Sequence, residues 1–237
     1  MDKNELKRYG IPKSVRVGSF DYRVLFPYDF NEDNRLIAQH DLYNFTLKVG
    51  IKSPSHQSEI LPRMKVHECL LHEIMHAIDH IYCGSILTED DVDLFAMVWH
   101  FILQHNKLGL YKRSEKIPSR LRLFNMEYEV KYKKFADLND EDVFLYSCNT
   151  NTIWLDDRFK DRERYSFNYL WFGLSEIISS LVVSVFSLNQ FMKPNGTPPK
   201  EAQADAQYPE KALVSFSHGI LQVLRENNIE GMIDKYE

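Results

Sequence analysis

What most constrains this 237-residue chain is that one order of elements is written in it twice. In the first half, Val15, Val17, Phe20, Tyr22, Val24 and Phe26 alternate with polar residues around a turn at Gly18-Ser19, which predicts a β-hairpin. Arg35–Gln39 and Tyr43–Ile51 predict two more strands, and residues 2–9 a short polar helix before them all. A polar loop containing Pro54 leads to a helix from about Pro62 to Tyr82, with Pro62 in its first turn and Gly84 as its stop. Thr88 then caps a second helix with an acidic first turn, Glu89-Asp90-Asp91. Its apolar face carries Val92, Phe95, Ala96, Trp99, Ile102 and Leu103, and it ends near Asn106.

The second half repeats this. Ile117-Pro118-Ser119-Arg120-Leu121-Arg122-Leu123 resembles Ile11-Pro12-Lys13-Ser14-Val15-Arg16-Val17. At the same offset Tyr128 matches Tyr22, Val130 matches Val24, Thr152 matches Thr46 and Leu155 matches Val49. Helices expected over 165–188 and 209–227 complete the set, separated by a loop at Lys193–Pro209 rich in Pro, Gly, Ala and Gln. The closing phrases also match, Ile102-Leu103-Gln104-His105-Asn106 against Val223-Leu224-Arg225-Glu226-Asn227. Identities are few, but one offset held over roughly forty residues argues for an internal duplication rather than two unrelated α+β halves. The expected domains are residues 1–110 and 111–237.

Composition narrows the class. At 44% hydrophobic and 27% charged the chain can bury a sizeable core. A net charge of −5 with no basic stripe argues against nucleic acid as partner. Cys69, Cys83 and Cys148 are an odd set without metal spacing, as expected of thiols in a reducing compartment. The charged start, Met1-Asp2-Lys3-Asn4-Glu5, has no apolar signal-peptide core. The longest apolar stretch, Ile177–Leu188, is broken by serines and too short to span a bilayer. The expectation is a cytoplasmic protein with no membrane partner.

The chemistry lies at His72-Glu73-Ile74-Met75-His76. On a helix, positions i and i+4 share a face about one turn apart, so both imidazoles can hold one zinc ion. Glu73 can then reach a zinc-bound water and act as its base without being a ligand. The surrounding helix is apolar and periodic (Val66, Leu70, Leu71, Ile74, Ala77, Ile78, Ile81), which favours a built site over incidental histidines. A third ligand is needed. His80 continues the four-residue series, but i and i+8 stand about 12 Å apart along a straight helix and cannot share an ion. Asp79 and His80 are therefore expected to flank the site on the surface. The next helix offers Glu89, Asp90, Asp91 and Asp93. Glu89 is the expected ligand, and Asp93, one turn on, the expected partner for the other nitrogen of His72 or His76.

The run Leu71–Ile78, followed by Leu87-Thr88-Glu89-Asp90-Asp91-Val92-Asp93 and Leu103-Gln104-His105-Asn106, resembles small gluzincin-type metallopeptidase-like proteins of bacteria and their phages. The resemblance covers about residues 14–106. It implies an α+β fold in which a short curled sheet precedes the HExxH helix and a glutamate from the following helix completes the zinc site. Leu174-Ser175-Glu176-Ile177-Ile178-Ser179-Ser180 aligns with Leu71–Ala77, and Glu210 falls opposite Glu89. Serine at both ligand positions implies a degenerate, metal-free second copy.

The expected function is a zinc-dependent metallopeptidase acting on a protein or peptide inside the cell. Strand Tyr43–Ile51 is either a sheet edge that pairs with extended substrate or an ordinary internal strand. The alternative function is a non-catalytic zincin-fold binding protein, or a virion or assembly component, with a protein partner met through the degenerate copy. A peptidase-related regulator would be expected to carry a helix-turn-helix segment, and the sequence offers none.

Overall fold

A computed structural model describes residues 7–30, 35–54, 56, 58–106, 117–123, 125–134, 144–147, 149–157, 173–180 and 210–233. The fold is mixed α+β, with two four-stranded sheets and helices. The chain divides into two compact units, Met1–Ser114 with Gln222–Glu237, and Glu115–Leu221. None of the described helices is long and apolar enough to cross a membrane.

The first unit holds β1 (Ser14–Val17), β2 (Phe20–Leu25), β3 (Ala38–Asp41) and β4 (Thr46–Val49), ordered β1-β2-β4-β3. β1 and β2 form the antiparallel hairpin, β2 and β4 run parallel, and β3 and β4 antiparallel. Alternation puts Val15, Val17, Tyr22, Val24, Leu47 and Val49 in the core. Helix α1 (Arg63–Ile78) packs on the sheet with Val66, Leu70, Ile74, Ala77 and Ile78 buried. It starts after Pro62, whose extended backbone stands at the N-cap. Past Ile78 it widens into a π-helical turn, Asp79–Cys83, closed by Gly84 at φ 78°. Only glycine adopts that left-handed cap without strain, which is why Gly84 works as the stop. Helix α2 (Glu89–His105) lies against α1, with Phe95, Trp99, Ile102 and Leu103 buried.

The strand bounds differ from the alternation. Arg35–Gln39 was the expected span, yet β3 begins at Ala38. Tyr43–Ile51 shortens to Thr46–Val49 because Asp41 accepts a hydrogen bond from the Asn44 amide (3.1 Å) and Phe45 takes φ 46°, so residues 42–45 form a turn. Of the two readings of that strand, the internal one holds: β4 is hydrogen-bonded on both sides, by β2 and β3, and the terminal strands of the sheet are β1 and β3. Of the helix expected over 2–9, Lys7, Arg8 and Tyr9 are described, the first two helical and Tyr9 in a turn.

The second unit contains β5 (Arg120–Leu123), β6 (Met126–Lys133), β7 (Phe144–Ser147) and β8 (Thr152–Asp156), ordered β5-β6-β8-β7. This is the order and orientation of the first sheet. Arg23 pairs with Thr46 in one, Glu129 with Thr152 in the other, at the offset read from the sequence. The left-handed residue recurs too, Asn151 at φ 46° answering Phe45. Helix α3 (173–180) carries buried Leu174, Ile177 and Ile178. The rest of the helix expected over 165–188, and the loop at 193–209, lie outside the described residues. Helix α4 (Glu210–Glu226) matches α2 in length and crosses the boundary between the units, ending in the first.

The first unit is completed by the end of α4 and by α5 (Ile229–Ile233), which packs on α1 and α2. Ile229, Met232 and Ile233 are buried there, and Arg63 donates to the Met232 carbonyl (3.2 Å). The outer edge of β1 is covered as well. Asn227 accepts from the Arg16 amide (2.8 Å) and donates to its carbonyl (2.9 Å), imitating a neighbouring strand. Gln222 accepts from the Gly18 amide (3.0 Å).

Candidate metal centre

Helical spacing puts His72 and His76 on one face of α1, and their Nε2 atoms lie 3.0 Å apart. Glu89, the first residue of α2, reaches both: Oε1 is 3.0 Å from His72 Nε2 and Oε2 is 3.2 Å from His76 Nε2. Among the described residues, these three side chains are a group that could hold a metal ion. Asp93 Oδ1 lies 2.8 Å from His72 Nδ1 and so fixes the ring with Nε2 directed at the cluster.

The position of Glu89 is built locally. Thr88 and Asp91 form a capping box: the Asp91 amide donates to Thr88 Oγ1 (3.3 Å), the Thr88 amide donates to Asp91 Oδ2 (3.0 Å), and the Thr88 hydroxyl also donates to that carboxylate. The loop before it is tied to α1 by Asp79, which accepts from the Ile86 (3.1 Å) and Leu87 (3.2 Å) amides. Asp79 is therefore buried, and the expectation of a surface residue is corrected: it anchors the turn that delivers Glu89. Burial raises its carboxyl pKa, against the pull of those two amides. His80 lies in the π turn, with Nδ1 3.0 Å from Ser85 Oγ, outside that candidate group.

Glu73 is 5% exposed, under the cluster, and accepts a hydrogen bond from the His40 amide of β3. Burial, then the Glu89 and Asp93 carboxylates, push its pKa up to about 8, while the His40 amide pulls it down. A dication held at the three ligands would favour the ionised form instead. His40 itself stacks nearly parallel to His76 (10°, centroids 6.4 Å apart). Its pKa falls to about 4, through burial first and then His76 and His80. Burial and the neighbouring His72 also lower that of His76, so a proton is disfavoured on a nitrogen that would have to be neutral to bind metal.

The three ligand positions fit zinc. Bonds of about 2.0–2.1 Å in a tetrahedral site set neighbouring donors about 3.3 Å apart. The two nitrogens stand 3.0 Å apart, each has its own Glu89 oxygen at 3.0–3.2 Å, and one ligand atom from each of the three residues lies within 4.8 Å of the others. The donors are two imidazoles and a carboxylate, and the Glu89 side chain is 68% exposed, leaving one side open.

A cleft of about 400 Å³ adjoins His72, Glu73 and Glu89, walled by Arg35–Ala38, by Lys65, Glu68 and Cys69 of α1, and by Asp93 and Ala96 of α2. Burial pushes the Cys69 thiol up to about 12, so it stays protonated. Along β3, the Ile37 carbonyl accepts from the Gly50 amide on the β4 side, and Gln39 and Asp41 follow in the same phase. Ala38 and His40 therefore direct their main-chain groups away from β4, the His40 amide to Glu73 and those of Ala38 toward the cleft. The sequence reading missed this wall. Part of it could have been found by helical arithmetic, since Lys65, Cys69, His72 and His76 fall on one stripe of α1.

In the second unit, the serines that align in sequence with His72 and His76 lie in a hydrogen-bonded cluster. Ser175 Oγ donates to the Ser217 carbonyl (3.1 Å) and Ser179 Oγ to the Ser175 carbonyl (3.0 Å). The Ser217 hydroxyl lies 2.9 Å from Ser179 Oγ and 2.8 Å from the Leu213 carbonyl. All three serines are buried and mutually satisfied. The Glu210 side chain lies outside the described residues.

No family model matches the chain, and neither the curated proteins nor the solved structures contain a match to it.

Proposed function

We propose that the chain is a zincin-like protein of the gluzincin type and that its first unit is a zinc metallopeptidase. The observation that carries this is the convergence of His72 Nε2, His76 Nε2 and the Glu89 carboxylate at 3.0–3.2 Å, with Glu73 buried beside them. When bound, zinc supplies the Lewis acidity that polarises a peptide carbonyl and acidifies a water. The chain's own groups do the rest. Asp93 holds His72 in its metal-facing tautomer, and the His40 amide holds Glu73. Glu73 takes the proton of the attacking water and passes it to the leaving amine. The outward main chain of Ala38 suits an extended peptide added to β3, a role that was one of two alternatives for strand Tyr43–Ile51.

The repeated sheet order and register support a tandem duplication of one zincin-like unit, with the second copy degenerate. That copy favours a second reading, a zincin-fold binding or assembly protein, because its serine cluster keeps the scaffold without ligands. One comparison separates the two. Under the peptidase reading the chain hydrolyses a casein or mixed-peptide substrate, and Glu73→Gln keeps its zinc while losing that activity. Under the binding reading zinc is held and Glu73→Gln changes nothing.

A further inference from the structure

We infer that the apolar pocket just before β3 takes one uncharged side chain of the substrate peptide, leucine to phenylalanine in size, within roughly four residues of the bond cut at the metal cluster. This rests on the peptidase reading and carries it from peptides in general to one kind of peptide.

Three observations lead here. The first is chemistry and size. Tyr28, Phe30, Leu36, Ile51 and Pro54 line a cavity of about 140 Å³. An apolar cavity of about 150 Å³ holds one benzene, so this one suits a single aliphatic side chain or ring. Its charged lining residues, Asp29 and Lys52, pair with each other at 3.5 Å and sum to no net charge. A charged side chain would give up its water there without an unmatched partner, whereas an apolar one covers half-buried rings and the exposed Leu36. The second observation is that the walls are already tied together. The Tyr28 amide donates to the Val49 carbonyl (2.8 Å), the Gly50 amide to the Ile37 carbonyl (2.6 Å) and the Leu61 amide to the Ile51 carbonyl (2.8 Å). Little chain has to be ordered when the pocket is filled, which favours binding. Gly50 leaves room for this packing, since a Cβ there would meet the Ile37 carbonyl oxygen at 3.0 Å and the Phe30 ring at 3.5 Å. The third observation is position. Leu36 lines both this pocket and the cleft beside the metal cluster. It precedes by four residues His40, whose amide holds Glu73, so at most about 14 Å of chain separates them. A peptide laid in extended form along Ala38 covers that distance in roughly four residues and brings a side chain to Leu36.

The test uses the full chain loaded with zinc and unfolded casein, with the cut bonds read by mass spectrometry. The expected result is leucine, isoleucine, methionine or phenylalanine at one fixed position within roughly four residues of those bonds. In a synthetic peptide copied from one such site, replacing that residue by serine lowers kcat/KM about tenfold or more. Two variants of the pocket, Phe30→Ala and Pro54→Asp, each checked for full zinc content, reduce that loss to about threefold or less. Where one variant loses its zinc, the other decides. Cuts that share no such position, or a preference that survives the variants, overturn the inference and leave the peptidase reading intact. A pocket filled by a second copy of the chain would show as a dimer on gel filtration that Phe30→Ala dissociates with the preference unchanged, which also overturns the inference alone. A chain that takes up no zinc, or takes it up and makes no cut, overturns both.

Discussion

His72 has both ring nitrogens committed, Nδ1 to Asp93 and Nε2 toward His76 and Glu89. Asp93 therefore acts through orientation, and Asp93→Ala should weaken zinc binding about 10- to 100-fold without abolishing it, measured by competition with a chelating dye. Glu73 is not a ligand. Under the proposed peptidase reading, Glu73→Gln should leave zinc stoichiometry unchanged and lower kcat by on the order of 10²–10⁴-fold. These residues were legible in the sequence because a helix converts spacing into geometry: His72 with His76, and Glu89 with Asp93, are each four apart. The His40 amide was not legible. Its contact with Glu73 depends on which strand forms the sheet edge, and no local pattern encodes that.

At the scale of elements, caps and turns fix the site. The Thr88–Asp91 box starts α2 at Glu89, so Thr88→Ala should cost about 1 kcal/mol, read as a lower urea midpoint, and should also loosen zinc binding. Helix α1 carries a pH dependence as well. His67 is fully buried, with Nε2 2.5 Å from the Tyr9 carbonyl. Burial chiefly, with Arg63 and His100 adding, lowers its pKa to about 4, against the pull of that carbonyl. The unfolded chain takes up this proton near pH 6.5 and the folded chain only near pH 4. The stabilisation is thus complete above about pH 6.5 and is lost as pH falls toward 4. In chelator, to remove any metal contribution, the urea midpoint should fall between pH 7.5 and 5, and fall less in His67→Gln. An unchanged slope in the variant would assign the dependence to other groups. Helix ends were readable because Pro62, Gly84 and Thr88 are chemical signals. Strand ends were not, because Leu36, Ile37 and Tyr43 have strand-like side chains while the Asp41–Asn44 turn decides where β4 can begin.

At the scale of the whole molecule, the repeated pattern predicts the order of the strands, and the two sheets carry it in matching registers. What the repeat did not convey is that residues 222–233 complete the first unit, through the Asn227 cover on β1 and the buried Ile229, Met232 and Ile233. Long-range docking of this kind leaves no periodic signature, since the same apolar residues would suit any helix interface. Ending the chain after Leu221 should therefore destabilise the first unit itself. Thermal unfolding should show a clear fall in Tm and zinc retention should drop, whereas an unchanged Tm would mean that the segment is dispensable. The central claim is nevertheless about one cluster, and metal analysis by mass spectrometry of the purified chain beside His76→Ala tests it most directly. The account predicts about one zinc per chain in the wild type and close to none in His76→Ala, with Ser175, Ser179 and Ser217 adding no second ion. Zinc absent from the wild type after loading and desalting, or retained undiminished in His76→Ala, would contradict it.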